Sequence, residues 1–101
     1  MAEFFSVARV SEVPAGSGRV VEAGGREIAV FNVGGTFYAI DNICKHRGGP
    51  LGEGILDQKV VTCPWHAWTY DVTNGQCTFH PEISIDTFEV KVEGNEVRVA
   101  V

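Results

Sequence analysis

Four residues of metal-binding type stand in two short motifs near the middle of the chain. The first motif is Cys44-x-His46 and the second is Cys63-x-x-His66, with sixteen residues between them. Each motif therefore supplies one thiolate and one imidazole. Thiolates favour soft metal ions and iron–sulfur clusters, and imidazoles bind zinc, copper and iron. The spacing predicts that these four side chains come together from two loops and hold a metal centre.

The mixed ligand pairs suit a cluster of two irons bridged by two sulfides. Two thiolates hold one iron and two imidazoles hold the other, so that each loop contributes to both irons. Two ferric ions, two sulfides and two thiolates sum to zero charge, whereas four thiolates leave a negative site that accepts an electron less readily. We therefore expect a [2Fe–2S] centre in which the added electron resides mainly on the iron bound by His46 and His66.

Two other interpretations of these residues remain open. A structural zinc ion is satisfied by two cysteines and two histidines, although zinc fingers usually pair like with like. Any one of the four residues alone is more often an ordinary buried side chain. Cys77 and His80 follow the second motif, and we expect the first to be a small buried residue and the second a surface imidazole.

Size and charge exclude several classes of protein. The chain has 101 residues and a formal net charge of −5, which predicts one domain over residues 1–101 and disfavours a nucleic-acid partner, since phosphate binding needs a basic patch. No apolar run reaches the roughly 18 residues of a membrane span. The first residues lack the features of a signal peptide, and three cysteines suggest metal or redox chemistry in a reducing compartment. We expect a soluble cytoplasmic protein without membrane contact.

The elements that position the motifs are predicted to be strands. Short β-branched and aromatic runs cover Gly18–Ala23, Arg26–Val33 and Thr36–Asp41, with paired glycines between them. No window keeps an apolar helical period, although residues 11–14 suit one helical turn. The sequence predicts an all-β fold, an antiparallel β sandwich or small barrel.

The end of the chain carries the clearest strand pattern. Apolar and charged residues alternate from Phe88 to Glu93 and again from Glu96 to Val99, with Gly94-Asn95 between the two runs and Val101 as a further apolar position. Such alternation around a short glycine turn is typical of a β-hairpin. The sequence predicts a β-hairpin with a tight turn at the end of the chain.

Between Asn42 and Gln76 the strand pattern breaks. Glycines and prolines are frequent there, and only Lys59–Thr62 resembles a strand. We expect a subdomain of two cluster-binding loops, at about residues 42–54 and 63–71, held by one short hairpin. A rigid sheet that carries functional loops is a common arrangement.

The two motif segments, CKHRGGPL at residues 44–51 and CPWHAWTYD at residues 63–71, resemble the Rieske [2Fe–2S] family. The ligand types, their order and the loop spacing all match, and the flanking strands fit the family's β fold over nearly the whole chain. The resemblance implies that Cys44, His46, Cys63 and His66 bind one Rieske-type [2Fe–2S] cluster. Length and the lack of a membrane anchor make the chain similar to the ferredoxin components of bacterial aromatic-ring dioxygenases.

The resemblance also implies a role in electron transport. Such ferredoxins carry one electron at a time from a flavoprotein reductase to a terminal oxygenase, and they are not enzymes by themselves. No small-molecule substrate pocket is therefore expected. The alternative is a Rieske-fold small subunit of a larger oxidoreductase, such as an assimilatory nitrite reductase.

Several positions depart from the high-potential Rieske proteins of cytochrome bc complexes. Those proteins carry a disulfide between the two loops, and a serine where this chain has Trp68. They share a tyrosine that here is Tyr70. Rieske potentials span roughly −150 to +300 mV, and the missing disulfide and serine predict a value near the low end. Ala67 stands where a glycine is common in the family, and Pro81 resembles the proline of a third, covering loop.

Overall fold

The computed structural model describes residues 3–43, 50–64, 68–80 and 82–101, and within these ranges it consists of ten strands and two 3-10 turns. The described residues include no helix that is long and apolar enough to cross a membrane. The strands are β1 Phe4–Arg9, β2 Gly18–Ala23, β3 Arg26–Val33, β4 Thr36–Asp41, β5 Ile55–Asp57, β6 Val60–Thr62, β7 Thr69–Asp71, β8 Thr87–Phe88, β9 Val90–Glu93 and β10 Glu96–Ala100. The 3-10 turns are Val10–Glu12 and Leu51–Glu53.

The strands form three antiparallel sheets. The middle sheet has the order β2-β3-β4-β8, the outer sheet β1-β10-β9 and the small sheet β5-β6-β7. Every pair of neighbouring strands is antiparallel. The predicted all-β antiparallel fold is confirmed.

The middle sheet is covered on both faces, and strand β3 shows this most directly. Successive side chains of a strand point to opposite faces. Ile28 and Val30 accordingly belong to one hydrophobic core, shared with the outer sheet through Val97. Ala29 and Phe31 belong to a second core, which contains residues of the small sheet and of the segments that follow it. The four-residue apolar run in β3 is explained by burial on both sides.

The regular strands lie where the sequence predicts them. Strands β2, β3 and β4 have the predicted bounds, and the C-terminal hairpin turns at Gly94, whose φ is +59°. The predicted helical turn is a 3-10 turn, and it begins at Val10 rather than at residue 11. Residue Glu89 separates β8 from β9, so that Phe88 pairs with Ala39 of the middle sheet rather than continuing the hairpin.

The prediction for the loop region was wrong in one respect. Instead of one strand at Lys59–Thr62, the small sheet has three strands, and β7 at Thr69–Asp71 lies inside the stretch expected to be the second loop. Lys59 itself belongs to the turn between β5 and β6, next to Gln58 with a φ of +56°. Strands of three residues are too short to show a period in the sequence. Their pairing is therefore visible only in three dimensions.

Candidate metal centre

The second motif lies at the closed end of the hairpin formed by β6 and β7. Cys63 directly follows β6, and its backbone N–H donates a hydrogen bond of 2.7 Å to the carbonyl oxygen of Trp68, the residue before β7. Thr62 and Thr69 are the last paired residues of the two strands. The Cys63 side chain is buried, with 1% of its surface exposed. The ends of this loop are thus fixed by the small sheet.

The first motif lies in a connection that is closed in the same manner. After β4, the carbonyl oxygen of Asn42 accepts a hydrogen bond of 2.8 Å from the backbone N–H of Leu51. Ile43 and Pro50 form an antiparallel bridge one step further along. Leu51 is fully buried in the core beneath the small sheet. Ile43 and Pro50, the described residues on either side of this stretch, are therefore neighbours on anchored backbone.

Of the four predicted ligands, Cys63 alone falls within the described residues; Cys44, His46 and His66 lie outside them, as do Lys45, Arg47, Trp65 and Ala67. Within the described part of the chain, no three Cys, His, Asp or Glu side chains are grouped as a metal site. The ligand set stays a prediction. What the described residues establish is the position of one thiol and of both loop ends.

A third segment packs against strand β7. The backbone N–H of Thr78 donates to the carbonyl oxygen of Thr69 over 3.0 Å, and the hydroxyls of the same two residues are hydrogen-bonded to each other. Tyr70 forms a bridge with Cys77, whose N–H donates to the carbonyl oxygen of Ile83 over 2.9 Å. Cys77 is buried, as the sequence predicted, and contributes to the core.

Aromatic rings connect this third segment to the end of the second loop. The rings of Trp68 and Phe79 meet edge to face with centroids 5.3 Å apart, and Phe79 and His80 do so at 5.1 Å. His80 is exposed, and its Nδ1 lies 3.0 Å from Oε1 of Glu82, which confirms the expected surface imidazole. Pro81 lies outside the described residues. The aromatic patch, defined as Trp68, Phe79 and His80, thus borders the loop that contains Cys63.

Tyr70 occupies the centre of β7. It pairs with Val61 of β6 and is fully buried. The tyrosine that the chain shares with the high-potential Rieske proteins is therefore part of the hairpin that Cys63 follows. Its buried ring also fixes β7 against the core beneath the small sheet.

The hairpin ends in a charged residue, Asp71, which is the last residue of β7. Burial alone would raise the pKa of Asp71, but hydrogen bonds from the Thr73 hydroxyl and backbone N–H, together with nearby Lys59, hold that pKa below its ordinary value. The Lys59 ammonium lies 3.5 Å from Oδ2 of Asp71. This carboxylate stabilises the turn after β7 in its ionised form.

The described residues fit an iron–sulfur cluster in two respects. A cysteine ligand must be a deprotonated thiol held in a fixed position, and Cys63 is buried in a hydrogen-bonded hairpin end. Ligands from two loops must also meet without strain, and both loops begin and end on anchored backbone. The chemistry of the predicted donor set, two sulfurs and two nitrogens, matches the iron pair of a Rieske centre.

Sequence reasoning missed two residues that lie beside the predicted loops. Asn42 is fully buried at the base of the first loop, and an asparagine at the end of a strand, just before a ligand loop, was the available signal. Phe79 is 49% exposed next to Trp68, and no periodic pattern marks it. Both act through contacts between segments that are distant in sequence.

The three sheets and the two anchored loop bases define a small antiparallel β domain. The chain belongs to the Rieske [2Fe–2S] domain family, whose model matches residues 3–94. A Rieske-type [2Fe–2S] cluster is therefore its cofactor, as the sequence predicted.

The chain is similar over most of its length to ferredoxins of dioxygenase systems. It is 35% identical over 89 residues to the ferredoxin component of the naphthalene 1,2-dioxygenase system of Pseudomonas aeruginosa, covering 87% of this chain and 86% of that protein. It also matches a chain in the complex of reduced oxygenase and oxidised ferredoxin of carbazole 1,9a-dioxygenase. That match has a TM-score of 0.87 and 34% identity, and it covers 96% of this chain and 92% of the other. The predicted resemblance to dioxygenase ferredoxins is confirmed.

A third similarity concerns the fold alone. A Mycobacterium tuberculosis chain, described as a candidate small subunit of an NADH-dependent nitrite reductase, matches with a TM-score of 0.91 and 19% identity. The match covers 100% of this chain and 96% of the other. At this identity the similarity supports the three-sheet architecture and no functional conclusion.

Proposed function

We propose that this chain is a one-electron carrier that passes electrons from a flavoprotein reductase to a terminal oxygenase. In this proposal Cys44, His46, Cys63 and His66 hold the cluster, which takes up one electron and releases it again. The chain's own role is to hold the cluster at the end of two anchored loops and to present it to partners. It is not an enzyme by itself.

One observation carries the proposal. The chain is similar, at 35% identity over 87% of its length, to a dioxygenase ferredoxin component of nearly the same size. The structure of a related oxygenase with its ferredoxin supports an oxygenase as one partner. The reductase is proposed because a carrier must be reduced before it can donate.

Charge and cysteine usage support the remaining parts of the proposal. A net charge of −5 favours partner proteins with basic faces and disfavours nucleic acid. A cluster that needs thiolate ligands is maintained most easily in a reducing compartment, which supports the cytoplasm as the location. These points concern the partners and the location of the carrier, and not its redox chemistry.

A second candidate is a small subunit of a larger reductase. The three-sheet fold, which the Mycobacterium tuberculosis chain shares, is compatible with either function. The presence of all four predicted ligands in the sequence favours the carrier, because a subunit with a purely structural role has no need of them. The two functions differ in whether the chain exchanges electrons as a separate protein.

The decisive experiment is a redox titration of the purified chain followed by reconstitution. We expect two irons and two sulfides per chain, uptake of one electron, and the electron paramagnetic resonance signal of a reduced mixed-ligand cluster. Protein that binds zinc instead, or that stays colourless after reconstitution, would overturn the proposal. The oxygenase components of the naphthalene and carbazole systems, each supplied with a reductase, then test whether the chain delivers electrons to an oxygenase.

The same titration tests the predicted potential. We expect a midpoint near the low end of the Rieske range, since the chain lacks the disulfide and the serine of the high-potential group. A midpoint above about +100 mV would contradict this prediction.

A further inference from the structure

A buried asparagine holds the base of the connection that contains Cys44 and His46, next to the bridge between Ile43 and Pro50. Asn42 has 1% of its surface exposed, and it directly follows β4. Its carbonyl oxygen accepts from the N–H of Leu51 over 2.8 Å, and its side-chain Oδ1 accepts from the N–H of Gly52 over 2.7 Å. One residue therefore binds the far end of the loop twice.

The same residue is also attached to the middle sheet. Its backbone N–H donates to the carbonyl oxygen of Glu27 over 3.3 Å, and its side-chain Nδ2 donates to Oε1 of Glu27 over 3.0 Å. Every polar group of Asn42 is thus hydrogen-bonded. The loop end is connected through one amide to strand β3, which is covered on both faces.

Gly52 has little freedom to move away from this contact. A Cβ atom at Gly52 would lie 2.6 Å from Cγ2 of Val20 and 2.9 Å from its backbone nitrogen. The 3-10 turn that contains Gly52 therefore packs against β2 with no room for a side chain at this position. With the turn fixed on one side and Asn42 on the other, the distance across the base of the loop is determined.

We propose that Asn42 is a positioning residue for the cluster: its neutral amide, which donates to Glu27 and accepts from Gly52, sets the first loop at the distance at which its two ligands meet those of the second loop. The inference rests on the ligand assignment in the proposed function. No other uncharged side chain of this size donates and accepts in these two directions at once. An aspartate keeps the bond from Gly52 but loses the donor and adds a charge beside Glu27.

The test uses the reconstituted holoprotein and a donor–acceptor exchange. Asn42→Asp should lose its cluster to a chelator about tenfold faster than the unmodified chain, the order of effect that follows when the orientation of metal ligands is disturbed. Its reduced form should also show shifted or broadened electron paramagnetic resonance features. Glu27→Gln alone should behave as the unmodified chain, because the new amide oxygen still accepts from Asn42.

The double variant Asn42→Asp with Glu27→Gln reverses the direction of one hydrogen bond. The amide introduced at position 27 then donates to the carboxylate introduced at position 42, which still accepts from Gly52. We expect cluster retention and the spectrum to return most of the way to those of the unmodified chain. A double variant as impaired as Asn42→Asp would overturn the positioning role.

Asn32 supplies the matched control for a merely structural effect. It has 6% of its surface exposed, its Nδ2 donates to the carbonyl oxygen of Val13 over 2.8 Å, and its Oδ1 accepts from the N–H of Gly35 over 2.7 Å. It lies at the other end of the β3–β4 pair. Asn32→Ala should lower the melting temperature while leaving the rate of cluster loss and the spectrum unchanged. If Asn42→Ala and Asn32→Ala affect both readouts alike, the inference is wrong.

Glu27→Ala is a second test of the positioning role in case Asn42→Asp does not fold. This change removes an exposed side chain and only one of the hydrogen bonds of Asn42. Cluster loss should then be faster than in the unmodified chain and slower than in Asn42→Ala, and an unchanged rate would contradict the role of Glu27. Failure of the unmodified chain to bind a cluster would overturn the proposed function itself, which distinguishes that outcome from all of these.

Discussion

The two sides of the middle sheet are stabilised in different ways. On the outer side, longer strands pair in extended registers, as in β1 with β10, and the core is formed by alternating apolar residues. On the other side, the small sheet has strands of three residues. There, the hydrogen bonds of Asn42 hold the base of the first loop, and the contact of Thr69 with Thr78 holds the third segment against β7. The outer side is a scaffold of general hydrophobic packing, and the small-sheet side depends on individual contacts.

Glycines show the same difference. Gly34 and Gly94 have positive φ values in strand turns, and a Cβ at either would meet nothing within 4 Å. Gly54 has an ordinary φ, but a Cβ there would lie 2.2 Å from the carbonyl oxygen of Thr62. The turns at Gly34 and Gly94 need glycine for its backbone conformation. The small sheet needs glycine because another backbone occupies the place of a side chain.

The largest effect is expected from Cys63, within the small-sheet side. Cys63→Ser should abolish binding of the iron–sulfur cluster, because the proposed set loses one of its two thiolates. Cys77→Ala is the control, since Cys77 is equally buried but lies in the third segment; it should cost about 1 kcal/mol and keep the full iron content. Iron and sulfide analysis with visible absorption measures both. A Cys77 variant without cluster, or a Cys63 variant with one, would show that the ligands are assigned wrongly.

A second prediction compares the two kinds of glycine. Gly54→Ala should lower the free energy of unfolding by about 3 kcal/mol, because the new methyl group collides with the backbone of β6. Gly34→Ala should cost only about 1 kcal/mol, the price of a left-handed conformation in open space. Urea unfolding of both variants gives the comparison. Equal losses would mean that the close approach at Gly54 is relieved by movement of the strand.

These differences explain how much was predictable from sequence. The bounds of β2, β3 and β4 followed from their composition and from the glycine turns, because each strand is long enough to show a pattern. Strands β5 and β7 were not predicted, since three residues carry no period and their pairing is stabilised by contacts with distant segments. The four candidate ligands follow from residue type and spacing in the sequence, and the ligand set stays a prediction. The roles of Asn42 and Phe79 were not predicted, because burial and ring contacts arise only from the folded chain.

A third prediction uses pH to compare one carboxylate from each side. The pKa of Asp71 on the small sheet is lowered, so its ionised form contributes stability above the ordinary pKa of 3.8, and that stability is lost as the pH falls through the folded value. Asp71→Asn should therefore cost about 1.5 kcal/mol at pH 7, the typical worth of a hydrogen bond to a charged group. The difference from the unmodified chain should shrink below pH 3.8.

Glu93 on the outer sheet is the counterpart of Asp71. Its hydrogen bond from Arg98, over 2.8 Å, lowers the pKa of Glu93 as well, but its side chain is 46% exposed, against 16% for Asp71. Water and salt screen such an exposed pair. Glu93→Gln should leave thermal unfolding nearly unchanged at moderate salt across this pH range. A loss as large as that of Asp71→Asn would contradict the proposed difference between the two sides.

The smallest effect concerns contact with a partner. The ring of Phe79 contacts that of Trp68, and the residue is 49% exposed. Aromatic residues are enriched at the centres of protein interfaces. Phe79→Ser should slow electron transfer to an accepting oxygenase about fivefold, which corresponds to about 1 kcal/mol, without changing the midpoint potential. Val92→Ser is the control, because Val92 is 47% exposed on the outer sheet. Stopped-flow oxidation of the reduced chain measures both rates. Equal rates for the two variants would place the partner's contact away from the aromatic patch, since an unchanged potential excludes an effect on the cluster itself.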